Sequence, residues 1–162
     1  MLFTAIKSLV YGSIFVLFWG VIALNVRKFD RYFSFSLPVW TPVAGIVLMA
    51  AGGILALICA AVFVRRGRGT PAPFDPPREF VITGPYKYVR NPMYLGGFLL
   101  LLGFALYNHS VSMILFWLLA MCLSHFFVVF FEEKRLEKSF GSSYVEYRKT
   151  VNRWVPKIPN PR

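Results

Sequence analysis

Residues 91–131 run for 41 positions without one Asp, Glu, Lys or Arg. Dense polar motifs bracket this stretch. Gly84-Pro85-Tyr86-Lys87-Tyr88-Val89-Arg90-Asn91-Pro92-Met93-Tyr94 leads into it, and Glu132-Glu133-Lys134-Arg135-Leu136 follows it. A charge placed at the centre of a bilayer costs roughly 3 kcal/mol even on lenient scales, so so long a charge-free run marks hydrocarbon. Asn108-His109-Ser110 forms a tight polar turn inside it, which makes the stretch a helical hairpin. A hairpin that enters and leaves the bilayer on one face brings the two polar motifs together there. The meeting place is open to water on one side and to lipid on the other.

Composition supports a membrane chain. Of 162 residues, 57% are hydrophobic and 15% charged, where a soluble domain carries about 25% charged residues. Cys59 and Cys122 both fall inside apolar blocks and form no CxxC, so they read as small hydrophobes and not as a disulfide or metal framework. The net charge of +11 raises nucleic acid as a partner, but 14 of the 18 Lys/Arg lie in just two segments, 65–90 and 134–162. Both flank apolar blocks, where basic residues face the cytoplasm and anionic lipid. No nucleic-acid motif competes with that reading, and no metal site is expected.

Four apolar blocks stand out, at about 8–26, 38–64, 93–107 and 110–131. The third has 15 residues, short of the roughly 20 that span a 30 Å core. Asn91 is its expected N-cap and Pro92 its first helical residue. The fold class is therefore an all-α integral membrane protein of about four transmembrane helices. Residues 1–162 form one domain: two N-terminal spanning helices in 1–64, a cytoplasmic loop at 65–92, the hairpin at 93–131 and a cytoplasmic, amphipathic helical tail at 132–162. The first block is too long for a signal peptide and reads as a retained helix. The positive-inside rule puts the loop and tail in the cytoplasm and leaves Arg27, Lys28 and Arg31 outside. Gly52, Ala56 and Ala60 on the second helix, and Gly96 and Gly103 on the third, are small-residue faces for close packing. Segment 65–83, rich in Arg, Gly and Pro, reads as an extended loop, and Phe140-Gly141 as a break in the tail helix.

Few residues can carry chemistry. Glu132-Glu133 is a paired negative site at the membrane edge, suited to a ligand cation, a ribose diol or Arg90. The free N–H groups at the start of the third helix, with Arg90 beside them, can hold a carboxylate. His125 lies seven residues before Glu132 on nearly the same helical face, and an ionisable group inside a membrane helix is a functional candidate. His109 is turn material. No GxGxxG after a strand, P-loop, HExxH or Ser/His/Asp order is present.

The motifs Gly84-Pro85-Tyr86-x-Tyr88-x-Arg90-Asn91-Pro92-x-Tyr94-x-Gly96, Glu132-Glu133-x-x-Leu136 and Phe140-Gly141-x-x-Tyr144-x-x-Tyr147 resemble the isoprenylcysteine carboxyl methyltransferase family, which is related to the membrane phospholipid methyltransferases. The resemblance covers roughly residues 78–156. It implies an integral membrane methyltransferase that uses S-adenosyl-L-methionine. Carried over, cofactor contacts come from Arg78, Glu79, Phe80, Val81, Tyr86, Asn91, Pro92, Met93, Tyr94 and Glu132. Arg90 and Glu133 support them and, with His125, are the candidate catalytic residues. Two positions depart from the family pattern. Asn91 stands where His is usual, which excludes a general base there. Val128 stands where the carboxyl methyltransferases carry a substrate-binding Arg, which leaves a different lipophilic acceptor open.

The expected reaction is methyl transfer at the membrane–cytoplasm interface to a lipophilic acceptor, with an isoprenylcysteine-type carboxylate first. N- or S-methylation of a phospholipid amine or small thiol is the alternative; it needs a base, for which His125 is the nearby candidate. Partners are the lipophilic or lipidated acceptor and membrane lipid. A small transporter or membrane scaffold is the reading of another class, and it conflicts with the absence of Asp or Glu from the apolar blocks. A reductase of the sterol-reductase type needs a longer chain. A bacterial inner membrane is the expected location.

Overall fold

In the computed structural model, residues 2–34, 36–67 and 80–157 are described. Every regular element among them is helical. Helix α1 (Leu2–Val26) continues into a 3-10 turn over Arg27–Tyr32, and α2 (Thr41–Val62) into a π-helical turn over Phe63–Gly67. Arg65 and Arg66, expected in an extended loop, thus still belong to a helical run. A short 3-10 turn, Gly84–Lys87, precedes α3 (Pro92–Tyr107). After the turn at 108–110, α4 (Val111–Phe127) runs through a π-helical turn, Val128–Glu132, straight into α5 (Glu133–Phe140). Gly141, at φ 54°, ends α5 in a backbone conformation that glycine tolerates, and α6 (Ser142–Thr150) follows.

Three helical runs, Phe3–Tyr32, Thr41–Arg66 and Val111–Phe140, are long and apolar enough to cross a membrane. Helix α3, with 16 residues, is shorter and spans about 24 Å at 1.5 Å per residue. Large apolar side chains such as Phe15, Leu17, Val47, Ile54, Leu118 and Phe126 point outward, as lipid requires and water does not. The chain is an integral membrane protein.

Although α3 and α4 are consecutive, α3 makes its most extensive interface with α2. Its cause is backbone-to-backbone contact at glycine. A Cβ added at Gly52 would lie 2.6 Å from the Gly96 carbonyl oxygen, and one added at Gly45 would lie 2.5 Å from that of Gly103. Gly52, Ala56, Gly96 and Gly103 thus form the expected close-packing faces. Gly45, one heptad before Gly52, completes the antiparallel register and was not foreseen. Small residues serve this purpose in lipid, where no hydrophobic drive brings helices together.

The end of the bundle away from the polar brackets is tied by side chains. Arg27 donates to Asn108 Oδ1 at 3.1 Å, Asp30 Oδ1 accepts from the Ser112 N–H at 2.8 Å, and Thr41 Oγ1 lies 3.3 Å from His109 Nδ1. Ser110 caps α4 by accepting from the Met113 N–H at 3.1 Å. At the other end, two small cores hold the segments outside the spans. Cys59, Val81 and Tyr86 pack with Phe63 and Met93, while Tyr144, Tyr147 and Val151 pack with Phe80, Leu136 and Phe140.

Candidate active site at the membrane edge

The first turn of α3 and the π-helical turn after α4 meet through one contact. The Tyr94 hydroxyl donates to Glu132 Oε2 at 2.7 Å. This is the junction of the two polar motifs that bracket the apolar stretch. Glu132 is partly buried and Glu133 is 6% exposed. Successive helical residues point about 100° apart, so adjacent carboxylates enter different environments.

Glu133 faces the tail and the loop. Arg153 donates to it twice, Nε to Oε1 at 2.6 Å and Nη2 to Oε2 at 3.1 Å. Arg90 Nη1 approaches the same Oε1 at 3.0 Å, and Nη1 also reaches the Tyr144 hydroxyl at 3.4 Å. Two guanidiniums therefore share one buried carboxylate. The Glu133 partner holds the Arg153 guanidinium charged even more firmly than usual.

The loop is sewn onto the tail by backbone bonds. Arg90 N–H donates to Asn152 O at 2.9 Å, and Lys157 N–H donates to Tyr88 O at 2.8 Å. The Tyr147 hydroxyl donates to Tyr86 O at 2.6 Å. Phe80 stacks on Phe140 at 5.1 Å between ring centroids and meets Tyr147 edge-on at 5.3 Å. Burial pushes the Tyr86, Tyr144 and Tyr147 phenols above their ordinary range.

Asn91 holds the N-cap position of α3, but its side chain makes no capping bond. Its amide instead donates to Arg153 O at 3.2 Å. The expected side-chain cap is thus corrected: Asn91 fastens the tail, and Pro92, whose nitrogen has no hydrogen to satisfy, lowers the need for a cap. Pro92 is fully buried behind it.

His125 lies near the end of α4 and accepts at Nδ1 from the Trp154 indole N–H, 3.0 Å away. The Trp154 ring meets Tyr94 edge-on at 6.0 Å and Phe98 at 5.8 Å. His125 is thereby joined to the Tyr94–Glu132 pair through one aromatic layer. Leu95, Phe98, Met121, Cys122, His125 and Trp154 line a cavity of about 290 Å³ between α3 and α4.

The phospholipid methyltransferase family matches residues 40–143 of this chain, from the start of α2 into α6. The chain belongs to the phospholipid methyltransferase family. The protein-S-isoprenylcysteine O-methyltransferase of Schizosaccharomyces pombe is 43% identical to it over 82 residues, 49% of this chain and 34% of that protein. The match thus spans about a third of that relative's length. No solved structure matches the chain.

In this member of the phospholipid methyltransferase family, Tyr94 and Glu132 form one contact, and Arg90, Asn91 and Glu133 lie around it. Phe80, Val81, Tyr86 and Met93 are packed into the two small cores and support the loop. Arg78 and Glu79 lie outside the described residues. Sequence reasoning assigned no role to Arg153 or Trp154. The signal available for them was slight: an Arg-Trp pair on a tail whose Phe140, Tyr144 and Tyr147 already matched the family pattern.

Proposed function

We propose that the protein is an S-adenosyl-L-methionine-dependent methyltransferase. In this reading it methylates a lipophilic acceptor, an isoprenylcysteine-type carboxylate, at the membrane–cytoplasm boundary. The observation that carries the reading is the 2.7 Å Tyr94–Glu132 pair, set at the junction of the two family motifs. Arg90 and Arg153 engage Glu133, while Glu132 accepts a hydrogen bond from the Tyr94 phenol. Glu132, at the junction of the two motifs, is the carboxylate we assign to a cationic or diol-bearing ligand. Arg90 Nε and Thr83 Oγ1 are buried with no hydrogen-bond partner among the described residues, and both belong to the loop beside this pair. These donors fit the carboxylate and hydroxyl groups of a ligand, and the Glu132 carboxylate fits its sulfonium.

Arg78 to Val81, Tyr86, Asn91 to Tyr94 and Glu132 are the residues that would hold the cofactor. When bound, S-adenosyl-L-methionine supplies an electrophilic methyl group. The protein's part is orientation, worth up to about 7–11 kcal/mol in favourable cases. Glu133, clamped by Arg90 and Arg153, fixes the loop against the tail, so Tyr94 presents its hydroxyl at one position. The apolar walls of α3 and α4 exclude water and admit an acceptor from the lipid side. A carboxylate acceptor needs no base. The excess of Lys and Arg in segments 65–90 and 134–162 supports a cytoplasmic site; a bacterial inner membrane is the location we propose.

The acceptor class rests on the yeast relative's name and the 43% identity over 82 residues. The family description favours a second reading, methylation of a phospholipid amine. Transfer of a labelled methyl group to prenylcysteine, phospholipid and thiol acceptors separates them.

Calorimetric titration of the purified protein with S-adenosylhomocysteine tests the central claim. Binding by the wild type, weakened at least tenfold in Glu132→Gln, is expected. No binding by the wild type would overturn the reading, and unchanged affinity in the variant would remove Glu132 from it.

A further inference from the structure

A tryptophan indole nitrogen only donates hydrogen bonds. Its contact with His125 Nδ1 at 3.0 Å therefore requires a lone pair on Nδ1, and the ring's own N–H sits on Nε2. His125 also lines the 290 Å³ cavity. Its other lining residues, Leu95, Phe98, Met121, Cys122 and Trp154, add one indole and one thiol to an otherwise apolar wall. The cavity carries no lining carboxylate, and through Trp154 it shares a wall with Tyr94, whose hydroxyl bonds Glu132. An apolar space with one N–H donor, beside the methyl-transfer site, suits a chain that ends in an anionic oxygen.

We propose that His125 is the acceptor-recognising residue. Its Nε2–H donates to the carboxylate oxygen of a prenyl- or acyl-chain acceptor lodged in the cavity, and Trp154 positions the ring for this by occupying Nδ1. The inference rests on the methyltransferase reading above. It assigns His125 a role opposite to that of a base. With Nδ1 engaged and Nε2 already protonated, the ring has no lone pair free to take a proton. An ammonium or thiol acceptor, which must lose a proton to react, finds no base in this cavity. A carboxylate oxygen forms its bond to the methyl carbon as the carbon–sulfur bond breaks and leaves its electron pair on sulfur. The products are an ester and a thioether, and no proton moves. His125 also supplies a donor that the apolar Val128, one turn further on, does not.

Cys122 lies in the same cavity wall and is exposed, whereas Cys59 is fully buried. Alkylation by N-ethylmaleimide, followed by mass spectrometry, therefore reports on occupancy without requiring turnover. The full-length protein in lipid nanodiscs is alkylated with an N-acyl-S-prenylcysteine or with the matching prenyl amine. The carboxylate is expected to slow Cys122 alkylation at least fivefold and the amine not to. His125→Phe should abolish protection, and His125→Gln, which keeps an N–H donor, should retain most of it. Trp154→Phe should raise the acceptor KM several-fold with kcat little changed. Equal protection by amine and carboxylate in the wild type, or full protection in His125→Phe, overturns the proposal. The amine comparison needs no variant, so a folding defect in His125→Phe leaves the test decisive. Protection that follows the expected pattern without any binding of S-adenosylhomocysteine sinks the methyltransferase reading and upholds the recognition site.

Discussion

Arg153 grips Glu133 with both ends of its guanidinium, Nε to Oε1 at 2.6 Å and Nη2 to Oε2 at 3.1 Å. The bond joins a tail segment beyond the last helix to the first residue of α5. Arg90 adds a contact to the same carboxylate from the loop before α3. One buried acid thus ties together three stretches of chain that the membrane helices alone would leave independent.

Removing that acid leaves two guanidiniums facing each other without compensation. Breaking a buried pair from one side costs about 3–5 kcal/mol, and the partial exposure of Arg153 places Glu133→Gln near the lower end, at about 3 kcal/mol. Thermal unfolding in detergent should show a clear loss. Arg153→Lys should recover little, because an ammonium cannot reproduce the two-pronged bond.

Tyr94 and Glu132 should behave as a coupled pair toward the ligand. A hydrogen bond to a charged group contributes about 1.5–3 kcal/mol, so Tyr94→Phe should weaken S-adenosylhomocysteine binding roughly tenfold. In a double-mutant cycle with Glu132→Gln, the second substitution should then add little. Full additivity would show that the two residues act separately.

The α2–α3 interface predicts a sharp contrast between a glycine inside it and one that faces away from it. Gly52→Ala forces a Cβ to within 2.6 Å of the Gly96 carbonyl oxygen, whereas a Cβ at Gly97 meets nothing within 4 Å. Gly52→Ala should destabilise the protein by about 1–3 kcal/mol. Gly97→Ala should be neutral or stabilising by up to about 1 kcal/mol, because alanine favours the helix. Melting temperatures of the two variants in one detergent decide this.

Alkaline pH should loosen the loop and tail before the spans. Burial raises the folded-state pKa of Tyr86, Tyr144 and Tyr147 above the unfolded value near 10. The folded state therefore holds these protons more tightly. Stability is fully present below about pH 10 and falls as pH rises beyond it. Melting followed from pH 7 to 11 should be flat and then decline, and Tyr144→Phe should make the decline shallower. A decline that begins near pH 8 would contradict this origin.

The helices and the meeting of the polar motifs were legible in the chain because the bilayer imposes a blunt rule. About 20 apolar residues cross it, charges stay at its edges, and an uncharged 91–131 with a turn at 108–110 follows that rule without ambiguity. The break at Gly141 and the close-packing glycines at 52, 96 and 103 were legible for local reasons of backbone freedom and size.

Other features were not. Asn91 reads as a helix cap by position, yet its amide serves Arg153 O, a choice between partners that depends on where the tail lies. Gly45 looks like any glycine in an apolar helix until the α2–α3 register is known. Glu132 and Glu133 are indistinguishable as neighbours in a sequence, and only the direction of each side chain sends one to Tyr94 and the other to two arginines. Arg153 and Trp154 follow the last helix, where no periodicity announces a partner 20 or 29 residues away.

By itself, then, the sequence determined what must lie in lipid, what must lie at its edge, and which family the edge motifs resemble. Each follows from local composition, because solvation acts residue by residue. The tertiary structure alone decided which acid is clamped, which remains beside a phenol, and which indole the histidine of α4 meets. Those are matters of directed contacts between distant segments, set by distances and angles that no stretch of sequence encodes on its own.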